Sequence, residues 1–187
     1  MNRNLYRMEL KRNRVAFFIW TGSLVFLMTF VMFFYRVFGR DEVLAQLQAF
    51  FENPFMKNLI AAFGVTDFRN MTNILGFYST YSVIYILLLG SLYSILLGSK
   101  ILSREELDKT AEFLLTRPVT RIEIVISKLM AVFTYIFLLN AALTAGGFVL
   151  MEIYRKEAYD VSAFLGITLY SFLLMILWSL IGFVIAI

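Results

Sequence analysis

The sequence predicts an all-α, polytopic transmembrane helix bundle, and three observations carry that prediction. Hydrophobic residues make up 60% of the 187-residue chain and charged residues 16%. With a mean hydropathy of +0.78, that composition lies outside the soluble globular range. All charges fall outside four uncharged runs of 21 residues or more, and a helix needs roughly 20 apolar residues to cross a bilayer. Cysteine and histidine are both absent. This removes disulfides, thiol chemistry and the commonest general base and transition-metal ligand.

Taken in order, the first element is basic. Arg3, Arg7, Lys11 and Arg14 fall on one helical face, with Leu5, Tyr6 and Met8 on the other side. This reads as an N-terminal interfacial helix along the inner leaflet, its basic face toward phospholipid head groups. A plain positive-inside anchor with no defined helix fits the same residues. The first span follows at Val15–Tyr35, too long for a signal-peptide core and without a small-residue cleavage site after it. Between Asp41 and Gly64, the residues Val43, Leu44, Leu47, Phe50 and Phe51 recur at helical spacing. Asn53-Pro54 then has the form of an N-cap followed by Pro at the first helical position. Two short amphipathic helices against the outer membrane surface are therefore expected.

The second uncharged run is Asn70–Ser99, with its span near 74–99. Tyr78, Tyr81, Ser82, Tyr85 and Tyr93 share one helical face there, and hydroxyls are costly toward lipid unless satisfied. That face is expected to turn inward, toward a pathway or a neighbouring helix. The third span is Leu129–Met151, where Asn140 and Thr144 sit at i, i+4 beside Ala142 and Gly146 in a small-xxx-small pattern of the kind that glues helices. Ser82, Tyr85, Asn140 and Thr144 are the candidate substrate-pathway residues, and helix packing is the competing explanation for each. The fourth span is Val161–Ile187. No ionisable side chain lies within any run, whereas ion-coupled carriers and voltage sensors usually need them. A GxxxxGK[ST] phosphate loop is absent too, so energy for any transport must enter from a partner.

Orientation follows from Lys and Arg. Eleven of these residues lie in the amino-terminal stretch and in Lys100–Lys128, and six lie in the two intervening loops. The bias places the first two segments and both chain ends in the cytoplasm. It also accounts for the net charge of +4 without nucleic acid.

The remaining element is the long charged segment Ser103–Lys128, SREELDKTAEFLLTRPVTRIEIVISK. Ser103 with Glu106, and Thr120 with Glu123, each fit a capping box, so two short helices are expected. Pro118 disfavours helical geometry at Arg117 and separates them. Leu107, Ala111, Leu114 and Leu115 share one face, and Glu105, Asp108, Lys109 and Glu112 share another. Such a helix lays its apolar face on the bundle and offers an acidic face to a cytosolic partner, as a docking element and not an active site.

This segment resembles the cytoplasmic stretch of type-2 ABC transporter permeases, in which acidic residues precede T-x-E-x-L-L-x-x-P-V-x-R-x-E-I and a following Lys. The matching positions are Glu105, Glu106, Thr110, Glu112, Leu114, Leu115, Pro118, Val119, Arg121, Glu123, Ile124 and Lys128; Lys109 stands where many members have Gly. The resemblance implies a permease subunit of an exporter-type transporter whose coupling-helix segment, residues 101–128, contacts a separate cytosolic ATPase. In that reading Glu105, Glu106 and Glu112 supply electrostatic contacts and Phe113 and Leu114 supply buried anchors. Thr110 belongs to the same contact surface, and Pro118 with Arg121 fixes the turn. It further implies a homodimer or a heterodimer with another permease, no catalytic residue, cofactor or metal in this chain, and a prokaryotic plasma membrane location. Permeases of that family usually have six spans, so four imply an incomplete six-span domain, whether as a fragment, a truncated gene product or a half-size member. The alternative is a non-transporting membrane interaction protein that docks a cytosolic partner through residues 103–128.

Overall fold

The computed structural model describes residues 2–38, 54–55, 73–107, 120–155 and 158–186, with the side chains of all of these except 36–38, 81 and 105–107. Among them every element is helical: α1 (Arg3–Phe38), α2 (Ile74–Phe77), a π-helical turn (Tyr78–Ser82), α3 (Val83–Leu107), α4 (Arg121–Tyr154) and α5 (Val161–Ile185). Four stretches among the described residues are long and apolar enough to cross a membrane, as the uncharged runs predict. The outer-surface helices expected between Asp41 and Gly64 lie outside the described residues, except that Pro54 and Phe55 are helical.

The helices overrun the uncharged runs, and three expectations change as a result. The amino-terminal stretch is helical with Arg3, Arg7, Lys11 and Arg14 exposed, but it is continuous with the first span and not a separate interfacial element. No Gly or Pro interrupts Arg3–Thr21, so the hydrogen-bond ladder runs on through 36 residues, roughly 54 Å of helix. Ser103 does not start a helix. It lies inside α3, and its hydroxyl donates back to the Ser99 carbonyl at 3.0 Å, because nothing between Ser99 and Ser103 breaks the ladder. The second capping box does form: Glu123 N donates to Thr120 Oγ1 at 3.2 Å, and Thr120 N donates to Glu123 Oε2 at 3.2 Å. The helix it opens is not short, since it runs directly into the third span as α4.

At the opposite end, Asp160 caps α5 by accepting from Ser162 N at 2.8 Å and Ala163 N at 3.3 Å. Tyr159 donates to Glu152 at 3.2 Å, and Arg155 pairs with the same carboxylate at 3.2 Å. Burial, followed by the hydrogen bond to Glu152, raises the Tyr159 phenol above its usual pKa.

The helices associate as two parallel pairs. α1 runs alongside α4, with Asn2 beside Ser127 and Met28 against Gly146. α3 runs alongside α5, with Gly90 against Met175, Gly98 against the backbone of Ser179 and Phe183, and Gly182 against the backbone of Ile95. Between lipid-embedded helices burial brings no hydrophobic gain, so close van der Waals packing must hold them, and it needs small residues at the contact. Gly90, Ser94 and Gly98 form that stripe on α3. Tyr78 links the pairs: its ring stands 5.4 Å from Phe164 of α5, and its hydroxyl lies where a side chain on Gly147 of α4 would sit, 2.9 Å from a Cβ built there.

The glycine contacts predict their own sensitivity. Gly98→Ala and Gly182→Ala should each cost about 1–3 kcal/mol, because backbone cannot move aside for the added methyl. Gly166→Ala, where nothing lies within 4 Å of the new carbon, should melt at or above the parent temperature. Thermal unfolding in detergent checks this; a Gly98→Ala variant as stable as Gly166→Ala would refute the backbone contact.

Candidate functional site

The two segments that sequence reading assigns to one side of the membrane meet at one end of the bundle. There the last turns of α3, the first turns of α4 and the amino-terminal turns of α1 converge on Lys128, which is 1% exposed. Its ammonium donates to the Ile101 carbonyl at 2.6 Å and reaches the Leu102 carbonyl at 3.5 Å. Taking an ammonium out of water costs several kcal/mol unless the protein satisfies it. The backbone carbonyls of α3 supply that satisfaction.

α1 adds a second layer of polar contacts. Asn2 N donates to Ser127 Oγ at 2.8 Å, and Ser127 Oγ donates to Asn2 O at 3.2 Å. The Tyr6 and Thr134 hydroxyls lie 3.0 Å apart, and the Tyr135 hydroxyl donates to the Leu10 carbonyl. Glu9 is 0% exposed, paired with Arg12 at 3.3 Å, and accepts from Asn13 Nδ2 at 3.4 Å. Asn13 in turn accepts from Arg104 Nη1 of α3 at 3.4 Å. Sequence reading did not single out Glu9 or Asn13. The signal was present: Glu9 is the only acidic residue before Asp41, and Leu5, Glu9 and Asn13 form an i, i+4, i+8 stripe opposite the basic face.

The residues assigned to partner binding divide by what the structure describes. Arg121 is the first residue of α4 and is exposed beside the Thr120 cap. Glu105 and Glu106 lie in the last turn of α3, their side chains undescribed. Thr110, Glu112, Phe113, Leu114 and Pro118 lie outside the described residues.

The four pathway candidates are not brought together. Asn140 Nδ2 donates to the Thr168 carbonyl of α5 at 3.3 Å, and Thr144 donates to Asn140 Oδ1 at 3.4 Å. This pair therefore joins α4 to α5. Beside it runs an open, mainly apolar groove of about 650 Å³ lined by Asn140, Thr144, Phe148, Phe164, Thr168 and Phe172. Ser82 is buried with no hydrogen-bond partner among the described residues. Tyr85, expected to turn inward with it, is 43% exposed. The π turn accounts for Tyr85: its wider winding adds a residue and shifts the helical phase after it, so the buried stripe runs through Ile86, Gly90 and Ser94, with Tyr93 buried beside it as expected.

A family model described as "ABC-2 family transporter protein" matches residues 3–187. No curated protein and no solved structure matches the chain.

The burial of Lys128 predicts an asymmetry between two lysines on one end of the bundle. Lys128→Met keeps the stem but removes the charged donor, and should cost about 1.5–3 kcal/mol. Lys100→Met, at an exposed position of α3, should be close to neutral. Equal melting temperatures for the two variants in detergent would rule out the bond from Lys128 to α3.

Proposed function

The chain belongs to the ABC-2 transporter family, and from that premise we propose that it is a permease that couples ATP hydrolysis on a separate cytosolic ATPase to export of a substrate. The observation that carries the reading is a family match over residues 3–187 that includes the whole of Ser103–Lys128. That segment has its flanks, α3 and α4, anchored to each other through Lys128. A docking element must pass on displacement, and two helices tied at their bases move together when the segment between them is pushed. In this proposal the amino terminus and residues 100–128 are cytoplasmic, as the lysine and arginine bias favours. Glu105, Glu106 and Glu112 give the partner-facing charge, Phe113 and Leu114 anchor in the ATPase, and Pro118 holds the turn that keeps them there. A two-copy permease with two ATPase subunits is the assembly this implies.

Reversing charge at Glu105 and Glu112 together tests it. Exposed charges contribute little to folding but set partner choice and encounter at an interface. The double variant should insert and accumulate like the parent while retaining less of the ATPase on co-purification, with a steeper loss as salt rises. Undiminished ATPase recovery would move the contact away from this face. Recovery of a different cytosolic protein by the parent, with no ATPase, would favour the non-transporting docking protein.

A further inference from the structure

α1 touches both flanks of the proposed docking segment at once. On one side Asn13 accepts from Arg104 of α3 at 3.4 Å. On the other, Asn2 and Ser127 of α4 exchange two hydrogen bonds. Asn13 also donates to the Glu9 carbonyl at 3.1 Å and carboxylate at 3.4 Å, which stiffens the turn between these contacts. Glu9, Asn13, Ser127 and Lys128 are all buried. A basic anchor for head groups needs only its exposed face; it has no use for a carboxylate and an amide on the hidden one. Buried polar groups are costly unless fully satisfied, and a satisfied set fixes one geometry. Because α1 is continuous from Arg3 to Phe38, whatever moves its amino-terminal turns moves the whole first span.

We propose that this clasp makes α1 a rigid passenger of the docking segment, with Glu9 and Asn13 as positioning residues that deliver the segment's displacement to the first span. The inference rests on the reading that an ATPase drives that segment. It assigns the amino-terminal turns a role in transmission beyond holding the chain at the leaflet. Asn13 carries one part of the link to α3, through the bond it accepts from Arg104.

The chain has no cysteine, so single labels can be placed cleanly. The test uses the reconstituted complex with its co-purifying ATPase, with and without ATP plus vanadate. Nitroxides at Arg3→Cys and Ile122→Cys report the distance between the tips of α1 and α4. A bimane at Ile122→Cys reports the docking flank, and one at Phe34→Cys reports the far end of α1. The clasp predicts an unchanged Arg3-to-Ile122 distance on nucleotide trapping, while both bimane signals respond. In Asn13→Leu the Ile122 response should persist and the Phe34 response should weaken, because the contacts of Asn2, Tyr6 and Leu10 with α4 remain. An Arg3-to-Ile122 distance that shifts with nucleotide overturns the rigid passenger, and needs no change in the clasp itself. A Phe34 response undiminished in Asn13→Leu overturns the role of Asn13. If Ile122 itself ignores nucleotide in the parent protein, the ATPase-driven reading fails, and transmission through α1 fails with it.

Discussion

A lysine ammonium placed where water cannot reach it fixes the geometry of one end of this protein. Lys128 is 1% exposed, so α4 must start where its side chain can reach the carbonyls of Ile101 and Leu102. That requirement sets the spacing of α3 and α4 at this end of the bundle. The buried Glu9 imposes a matching constraint on α1, whose hidden face must supply or find partners for a carboxylate. Three helices that share no sequence neighbourhood are thereby held in one arrangement by polar contacts. Elsewhere they are held mainly by packing.

The rest of the bundle obeys the chemistry of lipid. Apolar side chains gain nothing there by leaving their surroundings, and close contact of surfaces is what remains. α3 and α5 achieve it through glycine, backbone against backbone at Gly98 and Gly182. α1 and α4 use larger side chains such as Met28, Phe17 and Tyr135. The first pair is a tight spine. The second depends more on its polar tip, which is why a displacement entering there has a defined route along α1 in the mechanism proposed.

Much of this was legible in the sequence. Four charge-free runs marked the four spanning stretches, because an isolated charge at bilayer depth is too costly to be common. Thr120 and Glu123 announced the start of α4, since a reciprocal cap is a local structure that needs no tertiary help. Ser103 and Glu106 had the same spelling and made no cap, because a helix already in progress does not stop without a breaker. Tyr85 was misplaced for a different reason: a helical wheel assumes constant winding, and the π turn at Tyr78–Ser82 has no sequence signature in the wheel. Lys128 counted only as one of the cytoplasmic charges and a motif position, and Glu9 was not singled out. Their burial depends on which helices meet, and no local pattern encodes that. The gluing role of Asn140 and Thr144 was legible, and the structure pairs them with each other and with Thr168.

The central claim is that residues 103–128 carry the contact with an ATPase. A photo-crosslinking amino acid in place of Phe113, irradiated in intact cells, tests it without relying on retained function. The account predicts one dominant adduct, between this chain and an ATP-binding subunit, that disappears when the probe is moved to exposed Leu173 within α5. No adduct at Phe113, or an adduct with a protein that binds no ATP, would contradict it.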